Sequence, residues 1–424
     1  MPKPPPREFP ISIRHLKVFN SVAQLHGVRR ASAECHLSQP AVTQALVKLE
    51  DQIGAALLER RASGTYLNEL GTLFYRRTQR LFAQFEKALS ELGMPVGPVP
   101  VSAIAARISR SQVRSLIAIV EHGSFAQAAR ALGVSQTSLQ RAARDLERTL
   151  RTPLYAQTAA GIVATPPATE FARKLKLALR EIELGIEEVE AAHGSISGEI
   201  VIGAMLLSGS VVLASVIHDF VSQYPKANVR ILNGNADDML RCLRVGDVDV
   251  VLGLLRAPVS EEFVHRALVE TPYVVVARHG HPLLEKPGVT LEDLADYDWI
   301  VGTPRATRRA HFNQLFEGHR RPEARIETSS LPTVRLLLSQ SNRLTLMTSH
   351  ELLHEEDALT AVPFGPIKPV PCFGMTMREN WLPTQLQSNF IELVQNRIVG
   401  AMMPATGLLR ATAASKPQPS ALQT

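Results

Sequence analysis

The strongest constraint on this chain is that it repeats itself. Shifted by 97 positions, the segment from Leu16 (LKVFNSVAQLHGVRRASAECHLSQPAVTQALVKLEDQIGAALLER) aligns without a gap on the segment from Val113 (VRSLIAIVEHGSFAQAARALGVSQTSLQRAARDLERTLRTPLYAQ). Ala31/Ala128, Ser38/Ser135, Gln39/Gln136, Leu49/Leu146, Glu50/Glu147 and Leu57/Leu154 are identical across the pair. Val22/Ile119, Leu37/Val134, Val42/Leu139 and Ile53/Leu150 match in apolar character. A segment that recurs with its apolar positions in register is a folding unit, so the fold must contain it twice. With 424 residues the chain is also too long for one core, and several domains are expected.

Both copies predict the same local structure. An amphipathic helix from Ile13 to Leu25, or from Ser111 to His122, ends near Gly27 or Gly123. A short Ala-rich helix follows, whose small residues (Ala31; Ala128 and Ala129) allow close helix packing. Ser38 or Ser135 is then placed to cap a third helix by accepting one of its free N–H groups. Pro40 sits in the first turn of that helix, where a missing N–H costs nothing. The third helix runs to Glu50 or Glu147. Presented by its N-terminal end, a helix of this size fits the major groove and aims polar side chains at base edges. One copy alone would leave room for a small helical bundle with a polar outer face. Two copies with the same start, spacing and end argue against that reading.

These motifs together resemble the N-terminal domain of LysR-type regulators. That pattern has an Ala-rich helix, Ser-Gln-Pro, a recognition helix ending in Leu-Glu, and a Leu-Phe-x-Arg wing. The resemblance implies that Ser38, Gln39, Pro40, Ala41, Thr43, Gln44 and Lys48 face DNA in the first copy, with Arg60 and Arg61 on the wing. Arg29 and Arg30 form an unusual basic pair beside them. In the second copy the matching residues are Ser135, Gln136, Thr137, Ser138, Gln140 and Arg141, with Arg144 one position before the counterpart of Lys48. The second copy departs further from the family: Thr137 replaces Pro, Arg151 replaces the glycine after the third helix, and Gln157-Thr158 replace the wing arginines. Phosphate contacts position a protein and base contacts specify, so the first copy is expected to keep the family-like grip and the second a weaker one.

Past each wing an apolar seam at helical spacing continues: Leu70, Phe74, Leu81, Phe85, Ala88 and Leu92, then Phe171, Leu175, Ala178, Ile182, Ile186 and Val189. Each seam either packs on its own winged unit or pairs with another helix, and its length past the wing favours pairing. The resemblance implies a dimer-forming linker helix, and two arrangements are open. The copies pair within one chain, mimicking a two-chain dimer, or helix 165–192 pairs between chains, giving four heads per dimer.

From Gly198 strands of continuous Val, Ile and Leu alternate with helices (GEIVIGAM, NVRILNG, DVDVVLGL, YVVVARHGHPLL), which predicts parallel sheets buried on both faces. GEIVIGA, GDVDVVLG, and HPL followed by LEDLADYDWIV resemble the family's periplasmic-binding-protein-like effector domain, closest to the galactose-binding-protein regulator subgroup. That resemblance implies two lobes around a cleft, with strands near 274–278 and 371–377 crossing between them. Ligands sit at strand carboxyl ends, which nominates Ser208, Ser210, Thr303, Arg305, Ser329, Ser330 and Thr348. Ser and Thr also cap helices at such places, and Arg305 with Arg308 and Arg309 suits either a ligand carboxylate or a solvated basic face. His279 and His281 in RHGHP read as structural.

The expected architecture is therefore multidomain: two all-α winged helix-turn-helix units with linker helices, then a two-lobed α/β periplasmic-binding-protein-like effector domain. The boundaries are a disordered 1–11, first unit 12–92, Pro-rich linker 93–107, second unit 108–193, effector domain 194–400 and disordered tail 401–424. The net charge of +6 suits a polyanionic partner, here double-stranded promoter DNA. The small-molecule effector is expected to be a sugar, sugar acid or aromatic acid, and the assembly a homodimer or homotetramer. No apolar run spans a bilayer and MPKPPPREFP lacks a signal-peptide core, so no membrane and a cytoplasmic location are expected. Cys35, Cys242 and Cys372 lack ligand spacing, implying no zinc or disulfide framework, and a redox pair is left open. With no GxSxG, P-loop, HExxH or GxGxxG element, no enzyme and no cofactor are expected. The alternative function is a ligand-independent architectural repressor that uses the α/β half only for oligomerisation.

Overall fold

The computed structural model describes residues 11–93, 104–105, 107–159, 161–194, 196–205, 210–256 and 260–402, in two compact units that divide between Ser197 and Gly198. The N-terminal segment before Ile11, the tail after Met402 and most of the Pro-rich linker lie outside the described residues. Ile11, assigned by sequence to the N-terminal tail, is fully buried in the first core, and Ala105 of the linker also packs there.

In the first unit, α1 (Ile13–Leu25), α2 (Val28–Glu34) and α3 (Gln39–Ile53) are followed by a hairpin of β1 (Leu58–Arg61) and β2 (Gly64–Leu67), then α4 (Glu69–Glu91). The second copy repeats the order: α5 (Arg110–His122), α6 (Phe125–Leu132), α7 (Gln136–Leu150), β3 (Tyr155–Thr158), β4 (Gly161–Ala164) and α8 (Pro166–Ala192). Ser38 Oγ accepts the Ala41 N–H at 3.3 Å and Ser135 Oγ accepts the Ser138 N–H at 3.1 Å, so both serines cap as their position predicts. Gly54 closes α3 at φ 78, and Arg151 closes α7 in the same left-handed region at φ 52, where a Cβ is unfavourable.

The Leu-Glu ending shared by the two copies has a mechanical cause. Glu50 Oε1 accepts the N–H groups of Leu57 and Leu58 at 2.7 and 3.2 Å. Glu147 does the same for Leu154 and Tyr155, again at 2.7 and 3.2 Å. The neighbouring Leu49, Leu146, Leu57 and Leu154 are fully buried. Each recognition helix is thus tied to its wing by one carboxylate and anchored by two leucines.

The long helices α4 and α8 pack on each other, burying Phe74, Leu81, Phe85 and Ala88 against Phe171, Ala178, Ile182 and Val189. Within the single chain the seam joins the first copy to the second, the geometry of the intrachain arrangement. Burying a large apolar side chain stabilises by about 1.5–3 kcal/mol, so this seam is a substantial fraction of the unit's cohesion. Polar groups cross it as well. Arg77, with a fully buried side chain, donates to Glu188 from Nε at 3.0 Å and to Glu181 from Nη1 at 2.9 Å. Glu181 also accepts from Arg80 at 3.0 Å and Gln84 at 2.9 Å, and Lys174 pairs with Glu91. Burial opposes the charge on Arg77, but its hydrogen bonds to the two carboxylates and their negative charge outweigh it and raise its pKa. Gly185 faces Arg77: a Cβ there would lie 3.1 Å from Arg77 Cβ and Cγ.

The α/β unit holds a five-stranded sheet ordered β6 (Ala227–Gly234), β5 (Gly198–Met205), β7 (Val250–Leu254), β14 (Cys372–Arg378), β8 (Phe263–Glu270). Its other elements include α9 (Ser210–Gln223), α10 (Ala236–Val245), α12 (Thr307–Leu315), α13 (Leu331–Ser339), α14 (Ser349–Leu353) and α15 (Gln385–Met402). A short α11 (Leu291–Ala295) lies between Arg278 and Ile300 in the second lobe. Strand β5 is parallel to β6 and β7, while β14 runs antiparallel to β7 and β8. The second lobe pairs β9 (Tyr273–Arg278) antiparallel with β12 (Thr345–Thr348) and β13 (Leu359–Ala361), and β10 (Ile300–Val301) parallel with β11 (Ile326–Glu327). The parallel sheets expected from the apolar strands are found only in part: the first-lobe sheet is mixed, because β14 re-enters it from the second lobe, and the β12–β9–β13 sheet is antiparallel throughout. Each crossover precedes its strand: Thr271 N–H donates to Pro371 O at 2.9 Å, joining the two crossing segments. Strands 273–278 and 372–378 then each belong to one lobe.

Candidate nucleic-acid and effector sites

On the first winged unit, Gln39, Pro40, Thr43, Gln44, Val47 and Arg60 line one concave surface with Val28, so the recognition helix and wing converge. Gln39, Gln44, Lys48 and Arg60 are exposed, as are Arg29 and Arg30 on α2, while Ala41 is half-buried. Thr43 is half-buried and donates its hydroxyl to Gln39 O at 3.1 Å, leaving its methyl for contact outside the helix. The two wing arginines differ. Arg61 donates to Glu59 at 2.7 Å and lies over the Tyr66 ring at 5.2 Å, whereas Arg60 makes neither interaction and faces the concave surface. The wing of this copy is braced on the α1–α2 turn: Thr65 N–H donates to His26 O at 3.2 Å and the His26 and Tyr66 rings stack at 5.0 Å.

On the second unit, Ser135, Gln136, Thr137, Ser138, Arg141 and Arg144 are exposed on the first turns of α7, and Gln140 is half-exposed. Asp145, at the counterpart of Lys48, pairs with Arg148 at 3.0 Å. The wing strand carries Gln157 and Thr158 at the arginine positions, and Thr158 donates to Gly161 O at 2.8 Å to close its own hairpin. This wing rests instead on an aromatic contact between Phe125 and Tyr155, centroids 5.2 Å apart.

In the α/β unit a cleft is lined by Asn235, Arg256, Tyr273, Thr303, Arg305 and Ser329, and further in by Arg308 and Glu351. Three of the sequence-nominated residues thus come together: Thr303, Arg305 and Ser329. Ser330 lies on an adjoining groove and caps α13. Thr348 does not reach the cleft: it is buried, and its hydroxyl accepts the Glu351 N–H at 3.2 Å to cap α14. Its place at a strand end reflects capping, the alternative its residue type allows. Ser208 lies outside the described residues, and Ser210 opens α9.

Arg308 and Arg309, equally suited by sequence to ligand or solvent, are separated by the structure. Arg309 is held by Gly302 O at 3.3 Å and Glu327 at 2.5 Å. Arg308 is 5% exposed, pairs with Glu351 at 3.5 Å, and leaves Nη1 buried without a hydrogen-bond partner. Beside it, α12 begins at Ala306, whose side chain supplies no cap. Burial pushes the Glu351 carboxyl up despite Arg308 and Thr348, and pushes the Tyr273 hydroxyl up as well, so Tyr273 stays a donor. Arg256 Nη2 donates to Arg305 O at 3.2 Å across the cleft. Asn235, Tyr273 and Glu351 were not nominated; only their neighbourhood in space marks them. His279 and His281 bond to the carbonyls of Glu356 and Asn342 at 2.8 and 3.2 Å, and burial lowers the His281 pKa. Among the described residues no helix is long and apolar enough to cross a membrane, and no cluster of His, Cys, Asp or Glu could hold a metal ion.

Comparison with known proteins agrees with this arrangement. The model for the bacterial regulatory helix-turn-helix protein, lysR family, matches twice, at residues 13–72 and 111–169. The LysR substrate binding domain model matches residues 193–398. The HTH-type transcriptional regulator GalR of Pseudomonas putida is 31% identical over 348 residues, covering 81% of this chain and 86% of that protein. GbpR of Rhizobium radiobacter is 26% identical over 240 residues, 55% of this chain and 79% of that protein. Among solved structures, a full-length OxyR variant from Pseudomonas aeruginosa aligns at a TM-score of 0.49 with 17% identity, covering 68% of this chain and 93% of that one. With two winged DNA-binding domains and one effector-binding domain, the chain belongs to the LysR family of transcriptional regulators and is not an enzyme.

Proposed function

We propose that the chain reads promoter DNA through the N-terminal turns of α3 and α7 and responds to a small organic acid held between the lobes of its α/β unit. The observation that carries the DNA reading is the convergence of Gln39, Gln44 and Arg60 on one exposed concave face. Amide side chains reach base edges while the arginine takes phosphate. On the second unit Arg141 and Arg144 supply the charge that its wing lacks. The working divisions are winged units at 12–92 and 108–193 and an effector domain at 194–400, acting in the cytoplasm as a homodimer or homotetramer.

The effector class follows from Arg308. A buried guanidinium with an unpartnered Nη1, next to the uncapped start of α12, favours an anion over a neutral sugar. Thr303, Ser329 and Tyr273 supply hydroxyls for the rest of the molecule. A sugar acid or an aromatic acid fits this set better than a plain sugar. Ligand in the cleft would replace the Arg256–Arg305 bond and shift lobe closure, changing how the heads grip and bend DNA.

The test is a thermal-unfolding screen of the full chain against sugars, sugar acids and aromatic acids, paired with gel shifts on the DNA upstream of its own gene. Acids are expected to raise Tm and alter the gel shift, and Arg308→Gln to abolish the response. Silence across the whole panel would instead favour the ligand-independent architectural repressor.

A further inference from the structure

The two winged units are related by a pseudo-twofold axis that passes through their seam. Gln84 and Glu181 occupy the same position of the repeat, 97 residues apart, and they bond to each other at 2.9 Å. A residue that touches its own counterpart lies on the axis relating the copies. The flanking ion pairs obey the same symmetry. Arg77 binds Glu188, while Lys174, the counterpart of Arg77, binds Glu91, the counterpart of Glu188. Phe74 and Phe171, also counterparts, are both sealed in the seam. A dimer interface of two identical chains has this geometry, and here one chain builds it.

Charge breaks the symmetry at the axis. The first copy places Arg80 and Gln84 there, and the second places Leu177 and Glu181. Glu181 is 5% exposed and is satisfied by Arg77, Arg80 and Gln84 together. Two second units paired with each other would set Glu181 against Glu181 with Leu177 where Arg80 stands. Two first units would set the Arg80 of each against the Gln84 of the other, with no carboxylate at the axis. Only the mixed pair neutralises the buried charge, because a buried ion without its partner is strongly unfavourable. Along α8 every residue from 171 to 189 is buried or half-buried within the one chain.

We propose that each chain carries a complete two-headed DNA reader, the first and second winged units paired in cis, whose partner is a duplex with two unlike half-sites. One head presents Gln44, Lys48 and Arg60, and the other presents Arg141, Asp145 and Gln157 at the same positions. No second chain is required to bring two heads onto DNA, which leaves the α/β unit free to set the assembly.

The inference rests on the DNA-reading role above, so its test has one arm without DNA and one with it. A water-soluble carbodiimide joins a lysine to a contacting glutamate as an amide. Applied to the full chain, it should yield a Lys174–Glu91 cross-linked peptide in the gel band of single-chain mass. Lys176–Glu121, paired at 2.5 Å within the second unit, is the internal control. Recovery of the Lys174–Glu91 peptide only from the double-mass band, or its absence while the control forms, overturns the cis pair. In the second arm, phosphate ethylation of the upstream DNA should interfere strongly around one half-site and several-fold less around the other. Equal interference at both overturns the unlike half-sites. A positive cross-link with no DNA binding at all would leave the cis pair standing and sink the DNA-reading role.

Discussion

The two winged units agree in what holds them together and diverge in what they present to solvent. Glu50 and Glu147 tie helix to wing at the same pair of distances, and Leu49, Leu57, Leu146 and Leu154 are sealed alike. On the outer face almost every cation has moved: Lys48 becomes Asp145, Arg60 becomes Gln157, and Gln44 becomes Arg141. Even the support of the wings differs, a His26–Tyr66 stack in one and a Phe125–Tyr155 contact in the other. A core position answers to many neighbours at once, so duplication leaves it little room to drift. An exposed cation answers only to its ligand.

The comparison is broken most directly at the seam, where the largest effect is expected. Arg77→Leu should cost about 3–5 kcal/mol, because it leaves Glu188 and part of Glu181 without a counter-ion in a buried site. Lys174→Leu, at the same repeat position but 24% exposed, should cost less than about 1 kcal/mol. Denaturant unfolding of the full chain measures both, and equal losses would show that the seam is energetically symmetric after all. At the DNA face, Arg60→Ala should weaken binding and lower the slope of log affinity against log salt by about 1. Gln157→Arg should raise that slope by a similar amount if the second wing lies against phosphate. An unchanged slope in both variants would remove the wings from the interface.

The smallest effect concerns His15, whose counterpart in the second copy is Gln112. Burial, with Lys48 and Arg14 adding, lowers the His15 pKa below its ordinary 6.5. A depressed pKa means the folded form binds its proton more weakly than the unfolded chain does. The stability it contributes is therefore complete above pH 6.5 and is lost as pH falls through the folded value. His15→Gln should flatten this part of the pH–stability curve. A curve unchanged by the substitution would assign the acid sensitivity to other groups.

Much of this was legible from sequence because the repeat supplied its own control. Serines at 38 and 135 cap, the helix from Ile13 ends at Leu25, and the seam residues from Phe74 to Val189 are buried except the half-buried Ile186. Each depends on neighbours within a few residues. The pairing partner of each seam was not legible, since it turns on Arg77 and Glu181, which are 104 residues apart. The α/β half shows the same limit. Apolar strands announced a sheet, but the direction of β14 depends on where the chain comes from, and no local pattern carries that. Thr348 and Thr303 look alike at strand ends, and only the fold separates the helix cap from the cleft residue. Arg305, Arg308 and Arg309 look alike in sequence, because burial by distant elements decides which arginine is desolvated.

The glutamate on the axis also bears on heredity. Once Glu181 stands opposite Gln84 and leans on Arg77 and Arg80, neither half of the duplication is a spare. Deleting one winged unit strands a buried charge in the other, and exchanging a unit for a copy of its sibling places like charges together. A neutral duplication would thereby become irreversible: the two reading heads are inherited as one object, and the DNA sites they serve must change as pairs.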